Sequence, residues 1–490
     1  MTELFQHQKE GIEFLKKTKK AILAHEMGLG KSRMAIIAAH ETSGGILIIC
    51  PASLKINWKR EIEMVYPEAV TKIYGSKKDD TVARWHIINY DIISKYAGEI
   101  MALIEAGDIT TGIADEAHYI KGKTTIRAKA TLEILTKLGQ VYLLTGTPIM
   151  NRPIELFNML TAVGHPLSKS RTLYGKKFCG AQLKCLVQDK WANRRFFVDP
   201  KASFAFRRDP NHYRVLMFTD DTGATHLDDL RKEIAPIFLR RTKKEVLDLP
   251  EKIISVQVCE ISREWRKDYD TAWDRYVEWL SNNPQEDKNI ENILSAQALV
   301  EIMKLKQVCS QSKVDRIVAD IENAIDQEEK VIVFTQFTET VRLIGAGLEK
   351  IKYVTLTGAD DMNARQKAVD DFQNDPETKV IICNIKAGGV GINLTAASVV
   401  MFADMDWSPE VHAQAEDRAH RIGQTGTVSV YYYVVEDSIE EDIIATLEAK
   451  RGVIGAILEG TEVAKRQKSA LREFMDRVAM RVGTRSGQDH

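Results

Sequence analysis

The chain has few of the residues from which metal or disulfide scaffolds are built. Its 490 residues hold six cysteines, Cys50, Cys179, Cys185, Cys259, Cys309 and Cys383, and no two stand in C-x-x-C spacing. That spacing argues against a zinc site and leaves reduced, mostly buried thiols as the expectation. No apolar run approaches the roughly 20 residues that cross a bilayer. The first residues, MTELFQHQKE, are polar, unlike a secretory leader. A soluble, intracellular protein with no membrane partner is expected. Net charge is also lacking, since 68 Lys and Arg meet 69 Asp and Glu for a formal −1. This disfavours a protein held on nucleic acid by a basic tail. It leaves room for a local basic groove, because a field depends on where charges sit. There is no short-period repeat and no low-complexity tract, so a solenoid is not indicated.

What is present is an alternation of short apolar runs with helical patterns. AILA, ILIIC, HIINY, TGIAD and VYLLTG within the first 160 residues each read as a buried parallel strand. The rhythm restarts near Lys330 with KVIVFTQF, KYVTLTG, KVIICN, SVVMFAD and VSVYYYVV. Two α/β units in tandem, each a parallel sheet covered on both faces, are the expected fold. Ligands in such folds bind outside the carboxyl ends of the strands. The expected divisions are a first lobe over 1–236 with an insertion at about 161–236, a linker and helical protrusion over 237–329, a second lobe over 330–460, and a basic helix and tail over 461–490. ISREWRKDYDTAWDRYVEWL is the strongest helix candidate between the lobes, ended by the Asn-Asn-Pro at 282–284.

The first strand runs into His25-Glu26-Met27-Gly28-Leu29-Gly30-Lys31-Ser32, with Arg33 opening a helix behind it. Glycines let backbone N–H groups approach phosphate oxygens, and a helix N-terminus adds its dipole. Lys31 would reach the β- and γ-phosphates of ATP, and the Ser32 hydroxyl would ligate Mg²⁺. His25 occupies the first glycine position of the general pattern. Asp115 and Glu116 follow the strand TGIA. There, Asp115 can hold Mg²⁺ through water, and Glu116 can orient or deprotonate the attacking water. Thr145-Gly146-Thr147-Pro148 follows VYLL and can sense the γ-phosphate side.

In the second lobe Gln414 to Arg421 reads as helix, with Arg418 and Arg421 three apart on one face. Such arginines, offered across a cleft, can neutralise charge on a transferred phosphoryl group. A glycine-rich turn from Lys386 through Gly388 and Gly391 to Leu394 follows VIICN and permits close backbone approach to nucleotide or DNA phosphate.

These motifs and their order, over roughly residues 1–450, resemble the Swi/Snf-type branch of superfamily-two helicases. LFQHQKEGIEFL looks like that branch's glutamine motif, which would place Gln8 against adenine. HEMGLGKS is similar to its phosphate loop, with His25 where the branch usually has Asp. ILIICPASLKINWKREI, DEAHYIKG, LLTGTPIMNRPIEL, IFLRRTKKEVLDLPEK, IKAGGVGINLTAA, DMDWSP and QAEDRAHRIGQTGTVSVYYYV follow in the branch's order. The resemblance implies two RecA-like lobes with helical insertions, and an ATP hydrolase stimulated by DNA. It implies translocation on double-stranded or branched DNA by a monomeric motor, without processive strand separation. YGKKFCGAQ and QAEDRAHRIGQ look nearest to the annealing-helicase-like members. DNA phosphate contacts are then implied at Ser53, Lys55, Trp58, Asn89, Tyr90, Gln336, Lys386, Gly388 and Trp407. An RNA-directed helicase and a non-motor clamp switched by ATP remain as alternatives.

One further segment bears on the track. Residues 171–215 hold 11 Lys and Arg against 3 Asp, with eight aromatics: Tyr174, Phe178, Trp191, Phe196, Phe197, Phe204, Phe206 and Tyr213. Basic side chains can neutralise phosphates and aromatics can stack on exposed bases. The plainer reading is that most of the rings form the core of a small protrusion.

Overall fold

The computed structural model describes residues 3–75, 81–122, 125–146, 153–191, 194–221, 223–282, 291–385 and 392–448. In the first lobe run β1 (Lys20–Leu23), β2 (Gly45–Cys50), β3 (Thr71–Ile73), β4 (Trp85–Asn89), β5 (Ile109–Ala114) and β6 (Gln140–Leu144). An insertion then carries β7 (Gln182–Asp189), β8 (Arg194–Val198) and β9 (Tyr213–Asp220), before β10 (Phe238–Leu239). The second lobe holds β11 (Lys252–Cys259), β12 (Val331–Thr335), β13 (Tyr353–Leu356), β14 (Val380–Asn384), β15 (Val399–Phe402) and β16 (Val428–Val435).

The two large sheets are wholly parallel among the described residues, ordered β10-β1-β6-β5-β2-β4-β3 and β11-β16-β15-β12-β14-β13. The expected α/β class with two tandem sheets is what the chain forms. Side-chain direction alternates along each strand, so each sheet feeds two cores. Leu47 and Ile49 of β2 pack on one side with Ile22 and Ile88. Ile46, Ile48 and Cys50 pack on the other with Leu23 and Trp85. In the second lobe Ile332 and Phe334 face one core and Val331 and Val333 the other. All six cysteines are free and buried. Among the described residues no helix is long and apolar enough to cross a membrane.

Two expectations need correction. The insertion at 161–236 is not purely helical, because β7, β8 and β9 form a three-stranded antiparallel sheet. Its strands are half-exposed and carry scattered charge, so they lack the continuous apolar runs that mark the strands of the lobes. The segment expected as linker and helices also supplies a strand to each sheet. Short β10 extends the first beside β1, and edge strand β11 extends the second beside β16. The helix Arg263–Asn282 lies close to the expected range. Its Tyr269, Trp273 and Tyr276 are spaced to one face and pack on the second lobe's core. The basic helix expected from Thr461 lies outside the described residues.

The second lobe is pinned by a fully buried ion pair. The Lys313 ammonium donates to both Glu440 carboxylate oxygens at 2.7 Å and to the Tyr433 carbonyl at 2.9 Å. Glu440 also accepts the Val435 N–H at 2.9 Å. Breaking such a pair leaves one charge buried and unpaired. Lys313→Met should lower unfolding stability by about 3–5 kcal/mol in urea titrations, and a loss under about 1 kcal/mol would show the pair to be dispensable.

Candidate nucleotide site

β1 delivers the chain to the phosphate loop, and the helix Lys31–His40 carries it away. Gly28 and Gly30 both adopt φ +80, a left-handed conformation that glycine accepts without strain. A Cβ on Gly30 would also collide with Gln8 Nε2. The Gln8 amide donates to the Leu29 carbonyl at 3.4 Å, and His7 Nε2 lies 3.1 Å from the same oxygen. Gln8, the expected adenine contact, thus sits on the back of the loop. The Lys31 ammonium donates to the carbonyls of His25 at 2.8 Å and Glu26 at 3.3 Å. Burial lowers its pKa, while Glu116, Asp115 and Asp417 favour its charged form. Met27 packs on the loop that follows β6, since a Cβ on Gly146 would stand 2.8 Å from Met27 Cγ. Thr147 and Pro148 of that motif lie outside the described residues.

Asp115, which is buried, and Glu116, which is half-buried, follow β5. Burial and the Glu116 charge push the Asp115 carboxyl up, and the Trp58 N–H and Lys31 restrain it. For Glu116, burial opposes ionisation, but His118, Lys31 and Arg418 outweigh it and hold the pKa below the ordinary value. Its backbone is left-handed at φ 48, which is costly for a non-glycine residue and fixes where the carboxylate points. His118 Nδ1 lies 3.3 Å from Glu116 Oε2.

Trp58 and Tyr90, the two aromatic residues among the expected DNA contacts of the first lobe, are both turned to Asp115. Trp58 is buried and its indole N–H donates to Asp115 Oδ2 at 2.9 Å. Tyr90 is buried and its hydroxyl donates to the Asp115 carbonyl at 2.8 Å. Apolar burial decides these positions, and each ring's polar handle turns inward to Asp115, the indole to its carboxylate and the phenol to its backbone carbonyl.

The second lobe closes the site. The helix Pro409–Glu416 carries buried Gln414 and ends before Arg418. Arg418 and Arg421 therefore stand in the following turns rather than on the expected helix. They still converge, because both guanidinium groups donate to the Ile392 carbonyl, at 3.3 and 3.4 Å. Burial and Arg421 lower Arg418 to about 10. Arg421 Cβ would stand 2.8 Å from a Cβ on Gly28. The phosphate loop of one lobe and the arginine turn of the other are thus in van der Waals contact. Gly391, with Lys386 and Gly388, lies outside the described residues.

One residue that sequence reasoning left without a role ties these parts together. The Lys243 backbone N–H donates to Glu26 Oε2 of the phosphate loop at 2.7 Å. Its ammonium pairs with Asp417 Oδ1 at 2.7 Å and donates to the His420 carbonyl. Thr242 and Glu245 form a capping box that sets this short turn. Nearby, Lys252 pairs with Glu416 at 2.7 Å, and His420 Nε2 lies 2.8 Å from the Pro250 carbonyl. The available signal was the Lys-Lys of IFLRRTKKEV, which spacing alone could not aim.

Residues 7–314 match the SNF2-related domain, and residues 312–423 match the helicase conserved C-terminal domain. The chain belongs to the SNF2-related family. Curated relatives include the DNA annealing helicase and endonuclease ZRANB3 of Bos taurus, 28% identical over 97% of this chain and 42% of the relative. An uncharacterized ATP-dependent helicase of Mycoplasma genitalium is 30% identical over 93% of this chain and 42% of the relative. The chain therefore spans 42% of the length of each. The solved SWI2/SNF2 ATPase core of Sulfolobus solfataricus in complex with dsDNA is 25% identical, covers 94% of each chain and has a TM-score of 0.41.

The remaining DNA positions implied for an SNF2-related chain are mostly engaged internally. The Lys55 ammonium donates to the Tyr74 carbonyl at 2.9 Å, and the Asn89 amide to Asp91 at 3.4 Å. The Gln336 amide donates to the Met405 carbonyl at 2.6 Å. Trp407 packs against the second core with the Lys306 ammonium over its ring. Ser53 is half-buried on the loop after β2. Within the basic segment, Tyr174 and Phe178 are buried in the first lobe's core, while Trp191, Phe196 and Phe204 are exposed. The Phe197 side chain lies outside the described set.

His25 is the departure from the family's usual loop. It is fully buried, and neither ring nitrogen makes a hydrogen bond of normal geometry. Burial, then the nearby Lys31 charge, lower its pKa from 6.5 to about 3. Between those values the unfolded chain binds the proton and the folded chain does not. Stability supplied by the neutral ring is therefore complete above pH 6.5 and is lost as pH falls toward 3. Melting temperatures at pH 7 and pH 5 should differ less for His25→Asn than for the native chain; an equal difference would count against a buried neutral ring.

Lys243→Met should cut ATP turnover at saturating nucleotide at least about 10-fold, since stranding a buried Asp417 costs the closed arrangement on the order of 3–5 kcal/mol. ATP affinity, measured by nucleotide titration, should change less. Equal losses in both would place Lys243 in the phosphate loop's function alone.

Proposed function

We propose that this chain is a DNA-stimulated ATP hydrolase that translocates on double-stranded or branched DNA as a monomeric motor. It remodels DNA or protein–DNA complexes without processive strand separation. The observation that carries this reading is the contact of Gly28 in the phosphate loop with Arg421 of the other lobe. Each lobe holds part of one site, so chemistry and lobe movement are coupled.

Lys31 would leave its loop carbonyls for the β- and γ-phosphate oxygens of ATP. The left-handed glycines and the helix N-terminus present N–H groups to the same phosphates. Ser32 and Asp115 fit a bound Mg²⁺, which neutralises phosphate charge when present; Trp58 and Tyr90 keep Asp115 in place for that role. Glu116, held ionised, accepts the proton of the attacking water. Arg418 and Arg421 stabilise charge developing on the phosphoryl group. The similarity to ZRANB3, a DNA annealing helicase by name, supports strand annealing as the task of the motor, with fork remodelling as the related alternative.

ATP turnover should be measured with single-stranded, duplex, forked and four-way DNA and with duplex RNA. Duplex or branched DNA should stimulate it, and Glu116→Gln should retain ATP binding while losing about 10²–10⁴-fold in turnover. Stimulation by duplex RNA alone would move the track to RNA. No stimulation by any nucleic acid would favour an ATP-switched clamp.

A further inference from the structure

The insertion in the first lobe ends in a layered aromatic stack whose outermost ring is open. Trp191, in the turn after β7, is 78% exposed. Its ring stacks on His212 with centroids 4.3 Å apart, and His212 stacks on Tyr213 at 4.0 Å. Tyr213 meets the edge of Phe206 at 5.1 Å, and Phe206 that of Phe196 at 5.4 Å. The support is fixed by polar bonds as well. Asp189 Oδ1 lies 2.9 Å from His212 Nε2 and accepts the Trp191 backbone N–H at 3.0 Å. The Lys190 N–H donates to the His212 carbonyl at 2.8 Å. An indole held from beneath and bare above is a prepared flat surface rather than a stray apolar side chain.

Charge around it leans to one sign. Residues 185–215, the outer part of the insertion, carry 7 Lys and Arg against 3 Asp, in a chain whose net charge is −1. Nearer the lobe, Arg171, Lys177 and Lys184 are paired with Asp221, Glu233 and Asp220. The three outer carboxylates are taken up within the insertion's own turns. Asp189 is bonded as above, Asp209 accepts the His212 N–H, and Asp199 accepts the Lys201 N–H. Lys190, Lys201, Arg207, Arg208 and Arg214 remain exposed. Arg208 lies over the ring of Phe204, itself 65% exposed.

We propose that this tip is a docking platform for unpaired single-stranded DNA, with Trp191 stacking on a base and the surrounding cations neutralising its phosphates. Within duplex DNA the base faces are covered by their neighbours, so a bare indole face selects unpaired strand, whereas cations alone would bind either. The platform rests on the reading of the chain as a DNA motor, and it places an arm of a fork or bubble on the first lobe. A protein partner would use the aromatic rings but gives no reason for the cationic surround.

The test uses the full chain and its Trp191→Ala and Trp191→Phe forms. Affinities are measured for a fork with unpaired arms and for a blunt duplex of the same paired sequence. The fork-to-duplex affinity ratio should fall about 10-fold in Trp191→Ala and recover in Trp191→Phe, as expected for stacking of one base. Oligo-dT should quench tryptophan fluorescence in the native chain and quench it less in Trp191→Ala. An unchanged ratio in Trp191→Ala, or no recovery with Phe, overturns the platform, as does a native ratio near one. Duplex-stimulated ATP turnover of the native chain reads the motor separately. If that stimulation is absent the motor reading fails, and if it is present with an unchanged ratio only the platform fails.

Discussion

Charge removed from water at the seam between two lobes is the constraint on which the rest of this molecule depends. Asp115, Lys243, Asp417 and Arg418 are buried there, and Lys31, Glu116 and Arg421 are half-buried. Isolated, each would be expensive to bury; together their signs alternate across the gap. Asp115 and Glu116 follow a strand of the first sheet, while Asp417, Arg418 and Arg421 come from the second lobe, so neither half is electrostatically complete alone. Nucleotide phosphates would bring negative charge beside Lys31, Arg418 and Arg421. Closure and phosphate binding therefore favour each other.

The parts legible in sequence were those that repeat a local rule. Ten buried strands were readable as short β-branched runs, because a parallel strand covered on both faces must be apolar throughout. The phosphate loop and the Asp115–Glu116 pair were readable because phosphate chemistry admits few residue types at those spacings. The bonds of Trp58 and Tyr90 to Asp115 were not legible. Sequence shows an aromatic ring near a strand end, but which way its N–H or O–H points is settled by packing 25 and 57 residues away in the chain. The arginines illustrate the same limit. A helical spacing of three and a pair of turns both bring Arg418 and Arg421 together, so the pairing was right though the element was not.

The three-stranded sheet in the insertion was hidden for a different reason. Its strands bury little on one face, and polar and apolar residues are interleaved with turns, so no periodicity stands above the background. Small outlying sheets are stabilised by a few aromatic contacts, here the rings from Phe196 to Trp191, rather than by a continuous core. The same composition that obscures the fold makes the surface chemically distinct from the rest of the chain.

The backbone crosses from the first sheet at Leu239 to the second at Lys252, and it is tied to both lobes early on that path. Glu26 of the first lobe donates its N–H to the Arg241 carbonyl at 2.9 Å, and Lys243 is already fastened to Asp417 of the second. Only Thr242 lies between these two moorings. Lys243 itself is held on both sides, its backbone N–H on Glu26 and its ammonium on Asp417. Any parting of the lobes at this point must therefore break a buried bond beside the phosphate loop.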